Sequence, residues 1–214
     1  TESKSFVSEV HGNLGLVYFD MGNFKDAANS FGKAIELDKD NLDARINLGE
    51  TYVRTSQLDK AISEFRFVLQ KDTKNALAHN NLGNALKDRG LIKEAIASYR
   101  RALGINADLP EVHSNLGNLL RDLGQFAEAE VSCRRAIEIK PDFADAHCNL
   151  GNSLRDLGRI ENAVESYLRA LEIKPDYVDA HINLGNALRE LGRLDEALIS
   201  FRNALITQPD NATA

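Results

Sequence analysis

Residues 144–177, ADAHCNLGNSLRDLGRIENAVESYLRALEIKPDY, are one copy of a unit that recurs every 34 residues from Ser8 to Asn211. Gly15, Gly49, Gly83, Gly117, Gly151 and Gly185 keep that step, as do Leu14, Leu48, Leu82, Leu116, Leu150 and Leu184. So do Ala27, Ala61, Ala95, Ala129, Ala163 and Ala197. A fixed period of this length signals stacked repeats, each burying its apolar face against the next. Six units run over 8–41, 42–75, 76–109, 110–143, 144–177 and 178–211, with an N-terminal extension at 1–7 and a C-terminal remnant at 212–214. The expected architecture is one continuous solenoid, which offers an extended surface rather than an enclosed pocket.

Each unit reads as two helices. With Ser8, Leu42, Ala76, Pro110, Ala144 and Val178 as position 1, positions 3, 7, 11 and 14 are mostly apolar, as in Ala146, Leu150, Leu154 and Leu157. That is one helical stripe. Ile160, Ala163, Val164, Tyr167, Ala170 and Leu171, at positions 17, 20, 21, 24, 27 and 28, form a second. Between the stripes position 15 is glycine in five units and Ser56 in the other. Glycine just past a helix end supplies the left-handed residue that closes it. Pro141, Pro175 and Pro209 stop the second helix, since proline cannot continue it and disfavours helix in the residue before. The small Gly and Ala at positions 8 and 20 mark where the two helices approach closest.

The net charge of −6 and the pI of about 5.4 argue against nucleic acid, which wants a basic face. No run is apolar enough to span a membrane. Cys133 and Cys148 have no CxxC spacing, form no disulfide framework and read as packing residues of a reducing compartment. A cytoplasmic location is the expectation. No secretory signal is visible in a chain that starts at Thr1. No phosphate-binding glycine loop and no nucleophile–base pair stands out from the periodic pattern, so the chain reads as non-catalytic and without a cofactor.

Leu at position 7, Gly at 8, Ala at 20, an aromatic at 24 (Phe31, Phe65, Tyr99, Tyr167, Phe201), Ala at 27 and Pro at 32 resemble the tetratricopeptide repeat. Departures are mild: Cys133 for the aromatic, Val68 for Ala, and Lys39, Thr73 and Ala107 for Pro. The resemblance implies an all-α solenoid, a right-handed superhelix of six helix-turn-helix repeats, whose first helices line a concave groove that binds protein. The wording NLGNxLRxLG…EAxxSYxRALxIKPDxxDA resembles most the repeats that precede the catalytic region of O-linked N-acetylglucosamine transferases.

The stripe opposite the core carries the candidate site. Position 6 is Asn13, Asn47, Asn81, Asn115, Asn149 and Asn183; position 9 is Asn84, Asn118, Asn152 and Asn186. Asparagine costs up to about 0.7 kcal/mol relative to alanine inside a helix. Its amide offers one acceptor and two donors, which match a peptide group in both directions. Two readings stand: a ladder that holds an extended peptide by its backbone, as the transferase repeats imply, or bridges between neighbouring first helices. Lys87, Arg121, Arg155 and Arg189 at position 12, beside Asp88, Asp122, Asp156 and Glu190 at 13, either read charged ligand side chains or pair across repeats. Phe19 and Val53 make the groove more apolar at its N-terminal end.

Chaperone-binding members of the family clamp a carboxylate with lysines at positions 2 and 5, but here acids such as Glu9, Asp43 and Asp179 occupy position 2. All five histidines, His11, His79, His113, His147 and His181, occupy position 4. Their spacing on stacked helices is too wide for one metal, so they read as packing residues. The last helix, about Asp195 to Thr207, carries Leu198, Phe201 and Leu205 with no helix after it. That end is expected to be shielded, by another molecule, by end-to-end self-association or by a continuation past Ala214. The expected function is a protein-binding scaffold. The alternatives are a substrate-recruiting arm of a glycosyltransferase and a self-assembling scaffold.

Overall fold

The computed structural model describes residues 2–207, and among them finds twelve α-helices and no strand. They fall in two compact units, Thr1–Ala107 and Asp108–Ala214. The first holds α1 (Glu2–Asp20), α2 (Phe24–Leu37), α3 (Leu42–Arg54), α4 (Leu58–Lys71), α5 (Ala76–Asp88) and α6 (Ile92–Ile105). The second holds α7 (Pro110–Asp122), α8 (Phe126–Ile139), α9 (Ala144–Asp156), α10 (Ile160–Ile173), α11 (Val178–Glu190) and α12 (Leu194–Thr207). Within each unit a helix packs chiefly on the next in sequence, and the short turns make the pairs hairpins. Residues 2–7, ahead of the first repeat, are helical and continuous with it in α1. Pro209 and residues 212–214 lie outside the described residues.

The turns close as their composition dictates. At Gly158 the N–H donates to the Arg155 carbonyl (2.8 Å) and the next N–H to the Leu154 carbonyl (2.9 Å), the paired bonds that end a helix through a left-handed residue. Ser56 holds the same place with φ 58, a conformation that crowds a Cβ. The second helices end ahead of the proline: α8 stops at Ile139 and α10 at Ile173, so the residue before each proline is already extended.

The close approach inside each hairpin is made by a ring. Phe31, Phe65, Tyr99 and Tyr167 are fully buried, and each lies over the glycine at position 8. A Cβ on Gly151 would sit 2.5 Å from a Tyr167 ring carbon, and one on Gly49 2.5 Å from Phe65. In the fourth repeat Cys133 takes the ring's place: a Cβ on Gly117 would lie 2.6 Å from its Sγ and 3.2 Å from the Ala129 carbonyl oxygen. The glycine is small for the side chain at position 24, not for the facing helix backbone alone.

The histidines have a second task besides packing. His147 Nε2 donates to the Pro141 carbonyl (2.9 Å), His181 Nε2 to that of Pro175 (2.9 Å) and His79 Nε2 to that of Thr73 (3.2 Å). Arg45, which replaces histidine in the second repeat, reaches the Lys39 carbonyl in the same way (3.2 Å). In these four repeats position 4 ties the first helix to the loop that precedes it, satisfying a carbonyl that no helix can serve.

Three substitutions test these assignments by chemical denaturation. Gly151→Ala drives a Cβ into Tyr167 and should lower stability by roughly 1–3 kcal/mol. Gly32→Ala, inside α2 with nothing within 4 Å of its would-be Cβ, should raise it by about 0.5–1 kcal/mol. Ser56→Gly should raise it by about 1 kcal/mol. A neutral Gly151→Ala would contradict the ring-on-glycine contact.

Candidate functional site

The asparagines sit on the first helix of each hairpin. The sequence placed them opposite the core; the structure sets most of them half-buried, with Asn81 and Asn152 buried and Asn13 exposed. First helices of neighbouring repeats touch within each unit, so position 6 lies beside the preceding first helix. Asn81 Nδ2 donates to Glu50 Oε1 (2.5 Å), Asn149 Nδ2 to Ser114 Oγ (3.0 Å) and Asn183 Nδ2 to the Cys148 sulfur (3.8 Å). These amides do bridge repeats. Each bond uses one donor; at Asn81 the carbonyl oxygen is taken as well, accepting from Asn80 Nδ2 (3.3 Å).

Position 9 is pinned from the other side. Tyr99 Oη donates to Asn84 Oδ1 (2.7 Å) and Tyr167 Oη to Asn152 Oδ1 (2.8 Å). A buried phenol needs an acceptor. By taking the carbonyl it turns the NH2 of the amide away from the ring. Asn118 and Asn186 have Cys133 and Phe201 at the equivalent ring position, neither of which offers a hydroxyl. The tyrosine contact was not found from the sequence. No clean signal for it lay there: both Tyr repeats carry Asn at position 9 and the Phe31 and Phe65 repeats carry Leu16 and Glu50, but the Phe201 and Cys133 repeats carry Asn186 and Asn118.

In the second unit these amides line an open groove of about 460 Å³. Asn118, Asn149, Asn152 and Asn183 share it with Arg121, Arg155, Tyr177 and Asp179. Arg121 pairs with Asp122 (3.1 Å) and reaches Asp156 (3.8 Å), and Arg155 stands 4.0 Å from Asp156. The Arg121–Asp156 contact joins α7 to α9, and Lys87 pairs with its neighbour Asp88 (3.5 Å). Arg189 is exposed. Tyr177 is held protonated well above the ordinary phenol range, first by burial and then by Cys148 and Asp145. It also stacks under the Lys174 ammonium (4.8 Å). Residues 115 and 47, from the same row, are half-buried on α7 and α3.

The first unit has a smaller groove of about 300 Å³ lined by Phe19, Val53, Phe65, Glu50, Arg54, Asn81 and Asn84. The Arg54 guanidinium lies 5.2 Å and 5.8 Å from the Phe24 and Phe19 ring centres. This wall is more apolar than that of the second unit.

Neither thiol is chemically poised. Burial pushes Cys133 up to about 12 and Cys148 up to about 11, the latter despite the Asn183 amide, so neither is a thiolate near neutrality. Burial lowers His79. Among the described residues no three His, Cys, Asp or Glu side chains converge to hold a metal ion. No described helix is long and apolar enough to cross a membrane.

Family models place the chain. One described as "TPR repeat" matches residues 15–56, 83–120 and 151–188, together more than half of the chain. Two described as "Tetratricopeptide repeat" match 110–143 and 178–211, and 132–165. None of the curated proteins matches. Among solved structures, MamA is 28% identical with a TM-score of 0.70, over 78% of this chain and 98% of its own. YrrB, described as a TPR protein with an unusual peptide-binding site, is 26% identical with a TM-score of 0.70, over 86% of this chain and 95% of its own. PilF of Pseudomonas aeruginosa shares the fold, with a TM-score of 0.84 at 20% identity over 97% of this chain and 95% of its own.

The buried acids set a pH dependence. A free thiol ionises near 9.0, whereas the folded thiols stay protonated to about 11 and 12. Above pH 9 the unfolded chain therefore holds fewer protons than the folded one, and stability falls as pH rises. The melting temperature should be flat between about pH 7 and 8, drop between about pH 9 and 11, and fall below about pH 6.5, where the unfolded chain takes up a proton that folded His79 resists. Replacing both cysteines by alanine should shrink that drop, leaving the part due to Tyr99 and Tyr167, whose burial also raises them. At pH 8 the folded chain should resist iodoacetamide, and an unfolded control should not.

Proposed function

The chain belongs to the tetratricopeptide repeat family, and from that premise we propose that it is a non-catalytic adaptor that holds an extended segment of a partner protein by its backbone. The observation that carries this reading is the division of labour among the amides. At position 6 the fold takes a donor and leaves Oδ1, as in Asn149 and Asn183. At position 9 it takes the acceptor and leaves Nδ2, as in Asn152. The fifth repeat, with Asn149 and Asn152, thus offers one acceptor and one donor, the complement of a peptide N–H and C=O. The peptide-binding description of YrrB, over 25% identical across most of this chain, supports the same use.

The two grooves ask for different side chains. Arg121 and Arg155 beside the amides of the second unit favour an acidic or carbonyl-rich segment, and Phe19, Val53 and Phe65 in the first favour an apolar side chain. The repeat wording keeps the glycosyltransferase arm open. A catalytic domain encoded downstream of Ala214 would make the same groove a substrate recruiter.

A random-peptide display selection on the folded chain supplies probes, and calorimetry measures the tightest one. Asn118→Ala, Asn152→Ala and Asn186→Ala together should weaken it severely, because each amide–peptide bond nets about 0.5–1.5 kcal/mol. Any one alone should cost only several-fold. The triple variant should melt somewhat below the parent, because Asn152→Ala leaves the buried Tyr167 hydroxyl without its acceptor, a loss that alanine's better helix propensity partly offsets. Scrambling the peptide should matter less than the triple change. An unchanged affinity alongside a large fall in melting temperature would assign the amides to the stack alone.

A further inference from the structure

We propose that this chain associates head to tail with a second copy of itself, the outer face of α12 of one copy seating on the apolar stripe of α1 of the next. At the joint between the second and third repeats, and again between the fifth and sixth, position 21 of one repeat and position 7 of the following repeat are buried. Val164 is 4% exposed and lies in one core cluster with Leu184; Ile62 is 6% exposed and Leu82 6%. The same positions at the two ends are bare: Leu14 on α1 is 40% exposed and Leu198 on α12 is 49%. Val10, Val17 and Met21 extend the α1 stripe, and Leu205 and Ile206 extend the α12 face, all exposed. A contiguous bare face of this kind marks an interaction site. Here the two faces are the two halves of a joint the chain already makes within each unit, so each finds its complement in another copy.

Charge agrees with the register. Inside the first unit, Arg66 at position 25 pairs with Glu94 at position 19 of the next repeat (3.0 Å). At the ends those positions are Arg202 on α12 and Asp26 on α2, so the head-to-tail joint opposes a cation to an acid where the internal joint does. The residues of α1 before Ser8 add to the contact. They carry exposed Phe6 and Val7 past the point where an internal first helix begins, toward the end of α12 and its Ile206. The joint is heterologous, so the free head and the free tail of one copy can each take a further copy.

The test is sedimentation of the untagged 214-residue chain from micromolar to several hundred micromolar, with Leu14→Glu blocking the head and Leu198→Glu the tail. The parent mass should grow with concentration beyond two copies, and each variant alone should stay monomeric. An equimolar mixture of the two should form a dimer and stop there, because one intact head meets one intact tail. A parent that stays monomeric throughout, a head-blocked variant that still dimerises, or a mixture that stays monomeric would each overturn the proposal. Should either glutamate variant lose its helical signal, the charge pair decides. Arg202→Glu should weaken association several-fold, and adding Asp26→Arg in the same chain should restore it. Failure of that rescue would overturn the joint's register.

Discussion

A buried side chain at position 24 lying on a bare α-carbon at position 8 sets the spacing of nearly every hairpin, and the site depends on that spacing. The ring of Tyr167 covers Gly151 so closely that a Cβ there would sit 2.5 Å from it. Having crossed the glycine, the ring ends at the next residue of the same helix, and its hydroxyl meets Asn152 Oδ1. Tyr99 repeats this over Gly83 and Asn84. The core contact that fixes the two helices therefore also fixes which way the neighbouring amide points. A phenylalanine ring, as in Phe31 or Phe65, packs as well but leaves the next residue unoriented, and in those repeats that residue is no asparagine.

The two units solve the entry to the first helix differently. In the first, Asn41 and Asn75 cap the helix, each accepting the N–H three residues on at 2.9 Å. In the second, Phe143 and Tyr177 stand at the same point and make no capping bond. Losing a cap costs about 1 kcal/mol. The aromatics offset this by packing under Lys140 and Lys174 at 4.9 Å and 4.8 Å, and Tyr177 also packs against the core cluster. The exchange brings Tyr177 into the groove wall, so a local stability choice changes what a ligand meets.

The helices were legible because 34-residue periodicity superposes six readings of the same stripe, and noise in one repeat, such as Ser56 or Cys133, is outvoted. Turn glycines and helix-stopping prolines act locally, through φ and a missing N–H, so Gly158 and Pro175 announce themselves without tertiary knowledge. The amides were harder. A helical wheel puts positions 6 and 9 away from the hairpin core, yet Asn84 and Asn152 reach back to the hydroxyls of the buried Tyr99 and Tyr167. It is silent on the neighbouring first helix, and Asn149 finds Ser114 there, 35 residues away. The histidine row shows the same limit. His147 and Arg45 look unrelated by chemistry, yet both donate to the carbonyl six residues earlier, a shared geometry that no hydropathy pattern encodes.

Spacing explains why a backbone-reading surface suits this architecture. Packed helices lie roughly 8–10 Å apart, and an extended chain rises about 3.3 Å per residue. Successive first helices within a unit therefore meet about every third residue of an extended ligand. Alternate side chains of such a ligand point to opposite faces, so a contact every third residue meets the two faces in turn. A surface reading side chains would need a different pocket in each repeat. An amide pair used as proposed would read only the peptide group, which is the same at every residue, so near-identical repeats could share one recognition element. Sequence preference is then left to the walls: Arg121 and Arg155 in one unit, Phe19 and Val53 in the other.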